Sequence, residues 1–224
     1  MTMMAISVVY DSLALARGFV TGWGFACVIC GGEKTILFDT GQQGDALLHN
    51  LKALNVSPNQ IDLVVVSHDH ADHTGGLLSF LTENSQVIVY LPPSFSKGSL
   101  GAVQGTGANA VIVNEARRIC KNVFTASDTK NVPEQYLVMK TSNGLVLVTG
   151  CAHPGIVRIA TKAREFFEDK IDLALGGFHL FRSTDEEIRK TVRGLRDVGV
   201  ARVAPCHCTG NKAIRVFKEV YEDA

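Results

Sequence analysis

Apolar and polar positions along this chain switch repeatedly between a period of two and a period near 3.6. Ile6-Ser7-Val8-Val9, residues 23–30 and residues 35–38 are rich in β-branched and aromatic side chains and predict strands. Gly31-Gly32-Glu33-Lys34, between the last two, predicts a hairpin turn. Leu47, Leu51 and Leu54 then recur at i, i+4 and i+7, the mark of one helix face. Leu63-Val64-Val65-Val66 is a short continuous apolar run, as expected of a strand buried on both faces. A further strand over 87–91 is stopped by Pro92-Pro93. Residues 92–109, with four Gly, three Ser and two Pro, read as a long loop.

The second half repeats the alternation. Strands are expected over 110–113, 136–139 and 145–149, then a helix over 155–168 with Ile156, Ile159, Ala160 and Ala163 on its apolar face. Leu173-Ala174-Leu175 reads as a strand. Thr184-Asp185-Glu186-Glu187 carries a capping box that opens a helix with Ile188, Val192 and Leu195 as its buried stripe and Gly199 as its stop. A last strand at Val203-Ala204 leads into a helix reaching Glu219. No stretch reads as a linker, so the expectation is one α/β domain over 1–224.

Composition narrows the class. Of 224 residues, 46% are hydrophobic, and 22 basic side chains balance 22 acidic ones. That apolar content supports a core and excludes disorder. No apolar run reaches the about 20 residues that a membrane span needs, and the charge balance offers no basic field for nucleic acid. Met1-Thr2-Met3-Met4 lacks the basic and apolar regions of a signal peptide. The six cysteines therefore read as thiols in a reducing compartment, and the expected location is cytoplasmic. Cys27 and Cys30 form a C-x-x-C, but within an extended apolar run, where cysteine serves as a small core residue.

The chemistry concentrates in Ser67-His68-Asp69-His70-Ala71-Asp72-His73-Thr74-Gly75-Gly76, directly after a buried strand. Three of the chain's 7 histidines lie here, in a pattern that would be costly to bury unpaired. His68 and His70, two apart, share a face in extended geometry and suit two nitrogen ligands on one metal, while Asp72 and His73 can aim at a second. His153 follows the strand 145–149 and either reaches the metal of His68 and His70 or simply caps and packs. His49, on the polar face of the first helix, reads as solvated. Thr209-Gly210-Asn211-Lys212 opens the last helix, where free N–H groups and Lys212 make a candidate anion site for a small, anionic substrate.

H-x-H-x-D-H followed by T-G-G-L resembles the metallo-β-lactamase superfamily of two-metal hydrolases, as does Leu37-Phe38-Asp39-Thr40-Gly41 upstream. Three downstream motifs resemble one branch of it: Thr149-Gly150-Cys151-Ala152-His153-Pro154-Gly155-Ile156, Gly176-Gly177-Phe178-His179-Leu180 and Pro205-Cys206-His207-Cys208-Thr209-Gly210. That branch is named for an archaeal enzyme joining a dihydropterin to ribofuranosylaminobenzene 5'-phosphate. The resemblance spans about residues 21–215.

This resemblance implies an αββα sandwich with metals at one edge, on loops after strands. It implies zinc, one or two ions per chain, with iron or manganese also suited to the ligands. The implied metal ligands are His68, His70 and His153 for one ion and Asp72, His73 and His207 for the other, with Asp39 supporting the loop. Asp72 would orient the nucleophile. His179 would hydrogen-bond a substrate phosphate or protonate the leaving group, or else be an ordinary turn residue. Where most members place an aspartate bridging the metals, this chain has Cys151; either its thiolate touches a metal or Cys151 only packs. Three activities follow as expectations: a metal-dependent hydrolase of a small phosphate- or ester-containing metabolite, the pterin-transferring synthase of the branch, or a non-catalytic metal-bound binding module. The pocket walls are expected from residues 92–109 and Trp23.

Overall fold

The continuous apolar runs become strands and the helical stripes become helices whose apolar faces lie on those strands. The computed structural model describes residues 4–14 and 16–221; Met1, Thr2 and Met3, used above to argue against a leader, lie outside them. Contacts divide the chain into two compact units, Met1–Asn114 and Glu115–Ala224.

In the first unit β1 (Ala5–Tyr10), β2 (Ala26–Cys30), β3 (Ile36–Phe38), β4 (Leu63–Val65), β5 (Ile88–Leu91) and β6 (Asn109–Ile112) form a six-stranded sheet in that order. β1 to β3 are antiparallel, and β3 to β6 run parallel. Its helices are α1 (Gly44–Ala53), α2 (Ala71–Thr74), α3 (Leu77–Glu83) and α4 (Lys97–Gly105). Leu47 and Leu51 of α1, Phe80 and Leu81 of α3 and Val103 of α4 join Leu37, Val64 and Val89 of the sheet in one apolar cluster. Full burial of each such leucine or phenylalanine stabilises the unit by roughly 1.5–3 kcal/mol.

In the second unit β7 (Arg117–Cys120), β8 (Val123–Asp128), β9 (Glu134–Thr141), β10 (Gly144–Thr149), β11 (Ile171–Gly177) and β12 (Arg202–Cys206) make another six-stranded sheet. Its order is β12-β11-β10-β9-β8-β7. β10, β11 and β12 are parallel, and β7 to β10 antiparallel. α5 (Ile156–Phe167), α6 (Asp185–Val198) and α7 (Asn211–Val220) cover it. Ile156, Ile159, Ala160 and Ala163 of α5 and Ile188, Val192 and Leu195 of α6 are buried, as their spacing predicts. The capping box of α6 is formed in full by Thr184 and Glu187. Gly199 ends the helix at φ 84°, a left-handed value that costs glycine least.

Two expectations fail. Residues 97–105 form α4 instead of loop. Ser96 caps it by accepting the Ser99 N–H at 3.0 Å, and Val103 is buried, which together outweigh its three glycines. β7 and β8 were not expected either. The Arg117-Arg118 pair is exposed, and a register shift between Arg118 and Cys120 breaks the alternation that would mark a strand. Among the described residues no helix is long and apolar enough to cross a membrane.

Candidate functional site

In the first unit β3 and β4 are parallel neighbours, so the residues just beyond Phe38 and Val65 emerge at the same edge of the sheet. Open parallel sheets characteristically place functional residues at such carboxyl ends. Asp39 lies at the first and the run from Ser67 to His73 at the second. Asp39 is buried and collects three hydrogen bonds. The Ser67 N–H donates to Oδ1 at 2.6 Å, the Ser67 hydroxyl to Oδ2 at 2.7 Å, and His73 Nδ1 stands 2.7 Å from Oδ2. Burial pushes the Asp39 carboxyl upward, and the opposing pull of His73 and Ser67 offsets only part of that.

These bonds fix the imidazoles. With its Nδ1 hydrogen directed at Asp39, His73 presents Nε2 to Asp72, whose Oδ2 is 3.6 Å away. The Ser67 hydroxyl has given its hydrogen to Asp39, so His68 Nδ1, at 2.8 Å, donates to it and leaves Nε2 as the acceptor nitrogen. That Nε2 stands 3.0 Å from His70 Nδ1. The His68 ring lies 4.5 Å from that of His70 and 4.2 Å from that of His73, centroid to centroid. Four predicted ligands of the first unit, His68, His70, Asp72 and His73, are thus gathered together.

In the second unit the same logic operates on three strands. Thr149 of β10, Gly176 of β11 and Pro205 of β12 are in register, so the loops that follow leave one edge of the sheet. Cys151 and His153 lie on the first loop, His179 on the second and His207 on the third. The loops are tied to one another. Gly177 N–H donates to Gly150 O at 3.1 Å, Phe178 N–H to the Thr209 hydroxyl at 3.0 Å, and Leu180 N–H to Cys208 O at 3.1 Å. Ala152, His179 and His207 all hold left-handed backbone, at φ 56°, 52° and 48°. The His153 and His179 rings are 4.4 Å apart. Donor atoms of Cys151, His179 and Cys208 all fall within 4.8 Å of one another. Hydrogen bonding with Cys151, ahead of the opposing effect of burial, holds the Cys208 thiol down at about 5.

One residue of this unit was missed in the sequence. Glu134, at the start of β9, is fully buried and points both carboxylate oxygens at the Cys151–His153 loop. Oε1 accepts from the Cys151 and Ala152 N–H groups, each at 2.8 Å. Oε2 accepts from the His153 N–H at 2.8 Å and lies 2.9 Å from His153 Nδ1. Its only sequence signal was an acidic residue at the head of an apolar strand, which reads as exposed.

The donor chemistry of both units fits a divalent transition metal. Clustered imidazoles with their Nδ1 atoms tied to carboxylate or hydroxyl oxygens, beside a carboxylate and thiols, are the ligand types zinc, iron and manganese take. The peripheral candidates differ. His49 is exposed and bonds Gly18 O through Nε2 at 2.8 Å. Cys27 is buried within β2, as expected of a core residue. Lys212 forms an ion pair with Asp185 in which both side chains are exposed, and this lowers the Asp185 carboxyl. Trp23 is 44% exposed.

Comparison with known proteins agrees with this arrangement. Residues 24–159 match the metallo-beta-lactamase superfamily, and the chain belongs to it. The two sheets with their helices are the α/β fold of that class. A solved structure described as a metal-dependent hydrolase of the beta-lactamase superfamily is 31% identical. The match covers 99% of this chain and 94% of that one with a TM-score of 0.83. A protein from Methanocaldococcus jannaschii named 7,8-dihydropterin-6-methyl-4-(beta-D-ribofuranosyl)-aminobenzene-5'-phosphate synthase is 29% identical over 85% of this chain and 81% of its own length. The metallo-beta-lactamase fold protein YhfI from Bacillus subtilis shares the fold at a TM-score of 0.70 with 14% identity, covering 98% of this chain and 94% of that one.

Proposed function

We propose that this protein is a metal-dependent hydrolase of a small, anionic phosphate- or ester-containing metabolite. The observation that carries the reading is the gathering of His68, His70, Asp72 and His73 after β4, with His73 Nδ1 taken by buried Asp39 and its Nε2 turned to Asp72. In this reading His68, His70, Asp72 and His73 of the first unit and His153 and His207 of the second are metal ligands, zinc being the metal the donors suit best. When bound, such ions supply Lewis acidity and a water whose pKa is lowered toward about 7. Asp72 orients the nucleophile and takes up its proton, and His179 protonates the leaving group. Asp39 keeps His73 in one tautomer throughout. The likeness to a structure described as a metal-dependent hydrolase supports the same class.

A second reading is favoured by one observation, the 29% identity to the dihydropterin-linked synthase. The same residues would then serve a transfer in which a pyrophosphate leaving group departs from a pterin. The test measures metal content of protein purified without chelator, together with turnover of a phosphodiester and thioester panel. Metal near two ions per chain with turnover, both lost in His68→Ala and Asp72→Ala, is the expected result. Full turnover by either variant sinks the hydrolase reading. Pyrophosphate release only when a dihydropterin pyrophosphate and an aryl ribose phosphate are supplied together would establish the synthase instead.

A further inference from the structure

Glu134 stands opposite Asp128 in the β8–β9 register, so two acidic residues with 0% and 3% exposure face each other across a strand pair. Like charges so placed destabilise a sheet, and each carboxylate must find its own donors. Asp128 takes Arg158 and Lys162 of α5 and the Lys130 N–H. Glu134 takes three consecutive backbone N–H groups, those of Cys151, Ala152 and His153, and the His153 ring.

The hydrogen accounting fixes the ring. An ionised carboxylate accepts about four hydrogen bonds and donates none. Three of these partners are backbone N–H groups, which only donate. The fourth, His153 Nδ1, therefore carries its hydrogen toward Oε2, and in the neutral ring Nε2 then holds the lone pair. The same carboxylate holds the backbone of the loop, so both the ring's tautomer and its place are set by one side chain. Asp39 does the corresponding work in the first unit, accepting a backbone N–H and a hydroxyl of Ser67 together with His73 Nδ1.

We propose that Glu134 is the positioning residue that holds His153, through Nδ1, as a metal ligand by Nε2. The proposal rests on the metal-dependent reading above. Glutamine cannot replace Glu134, because its NH2 would face N–H donors whichever way the amide turned. Loss of such a partner typically weakens metal binding about 10–100-fold.

Two measurements on the full chain test it. Nitrogen-15 NMR of the imidazole rings in metal-free protein should show His153 hydrogenated at Nδ1, and the opposite tautomer overturns the proposal whatever metal is later bound. Zinc affinity by chelator competition should fall about 10–100-fold in Glu134→Gln. In the His153→Ala background the same change should have almost no further effect, because Glu134 acts through that ring. Independent, multiplying losses in the double variant overturn the proposal. If Glu134→Gln does not fold, the NMR measurement on the unaltered chain decides alone. Zinc uptake that depends on His68 but not on Glu134 sinks the proposal and leaves the metal reading standing. No zinc uptake by the unaltered protein sinks both.

Discussion

Asp39 Oδ2 and His73 Nδ1 lie 2.7 Å apart with neither side chain exposed to solvent. One carboxylate thereby joins the end of β3 to the histidine-rich loop after β4. Asparagine at position 39 tolerates the left-handed backbone found there, φ 57°, so Asp39→Asn removes the charge and an acceptor without disturbing the turn. With its Oδ1 kept on the Ser67 N–H, its NH2 faces the Ser67 hydroxyl and His73 Nδ1, both of which must turn their own hydrogens elsewhere to accept from it. The expected loss is about 1–3 kcal/mol of unfolding free energy, measured by urea denaturation. Unchanged stability would show that the pair is not what holds the loop.

Metal should stabilise the folded chain by mass action. Zinc at 100 times its dissociation constant is expected to add about 2.7 kcal/mol, read as a rise in Tm that a chelator reverses. His68→Ala should blunt that rise. An equal rise in the variant would place the responsible ion elsewhere on the molecule.

Asp128 gives the stability an acid limb. Burial pushes its carboxyl up, but the hydrogen bonds from Lys162, the Lys130 N–H and Arg158, with the Lys162 charge, together bring it below the ordinary range. A carboxyl lowered on folding adds stability that is complete above its unfolded value of about 3.9 and is lost as pH falls through the lower folded value. Arg158 and Lys162 stay partly exposed, which limits each pair to about 1 kcal/mol. Asp128→Asn should therefore lower Tm at pH 7, and the gap from the unaltered protein should close in acid. A gap that is constant from pH 7 to pH 2 would remove the charge from the explanation.

Gly176 has φ +120°, and a Cβ there would meet Thr149 O at 2.0 Å, which is backbone and cannot swing away. Gly176→Ala should cost at least about 2 kcal/mol and weaken metal binding by parting the loops after β10 and β11. Thermal unfolding together with metal content checks both effects; a variant of normal stability would mean that the strands separate freely at this point.

The parts of the site readable in the sequence are those carried by neighbours in the chain. His68, His70, Asp72 and His73 fall within six residues, and a buried strand before them announces where they emerge. Asp39 was legible through resemblance, as a strand-end motif. Glu134 was not, because it serves a loop beginning 17 residues downstream, and only the antiparallel pairing of β9 with β10 brings the two together. The helices α5 and α6 were read closely, since their buried stripes repeat every three or four residues. α4 was hidden by Gly98, Gly101 and Gly105, poor helix formers that its Ser96 cap and Val103 anchor override. β7 was hidden for a different reason: as an edge strand with a register shift it buries too little of one face to leave an alternating pattern, while β8, between β7 and β9, is largely buried but carries polar Thr125, Ser127 and Asp128.

Asp39, Ala152, His179 and His207 all hold left-handed backbone within three residues of a strand end. Asparagine and glycine adopt that conformation at little cost. A descendant of this gene could exchange His179 or His207 for either and keep its turn while discarding an imidazole. The architecture is therefore open to silent retirement, in which a lineage keeps the scaffold for binding or assembly long after its chemistry has gone.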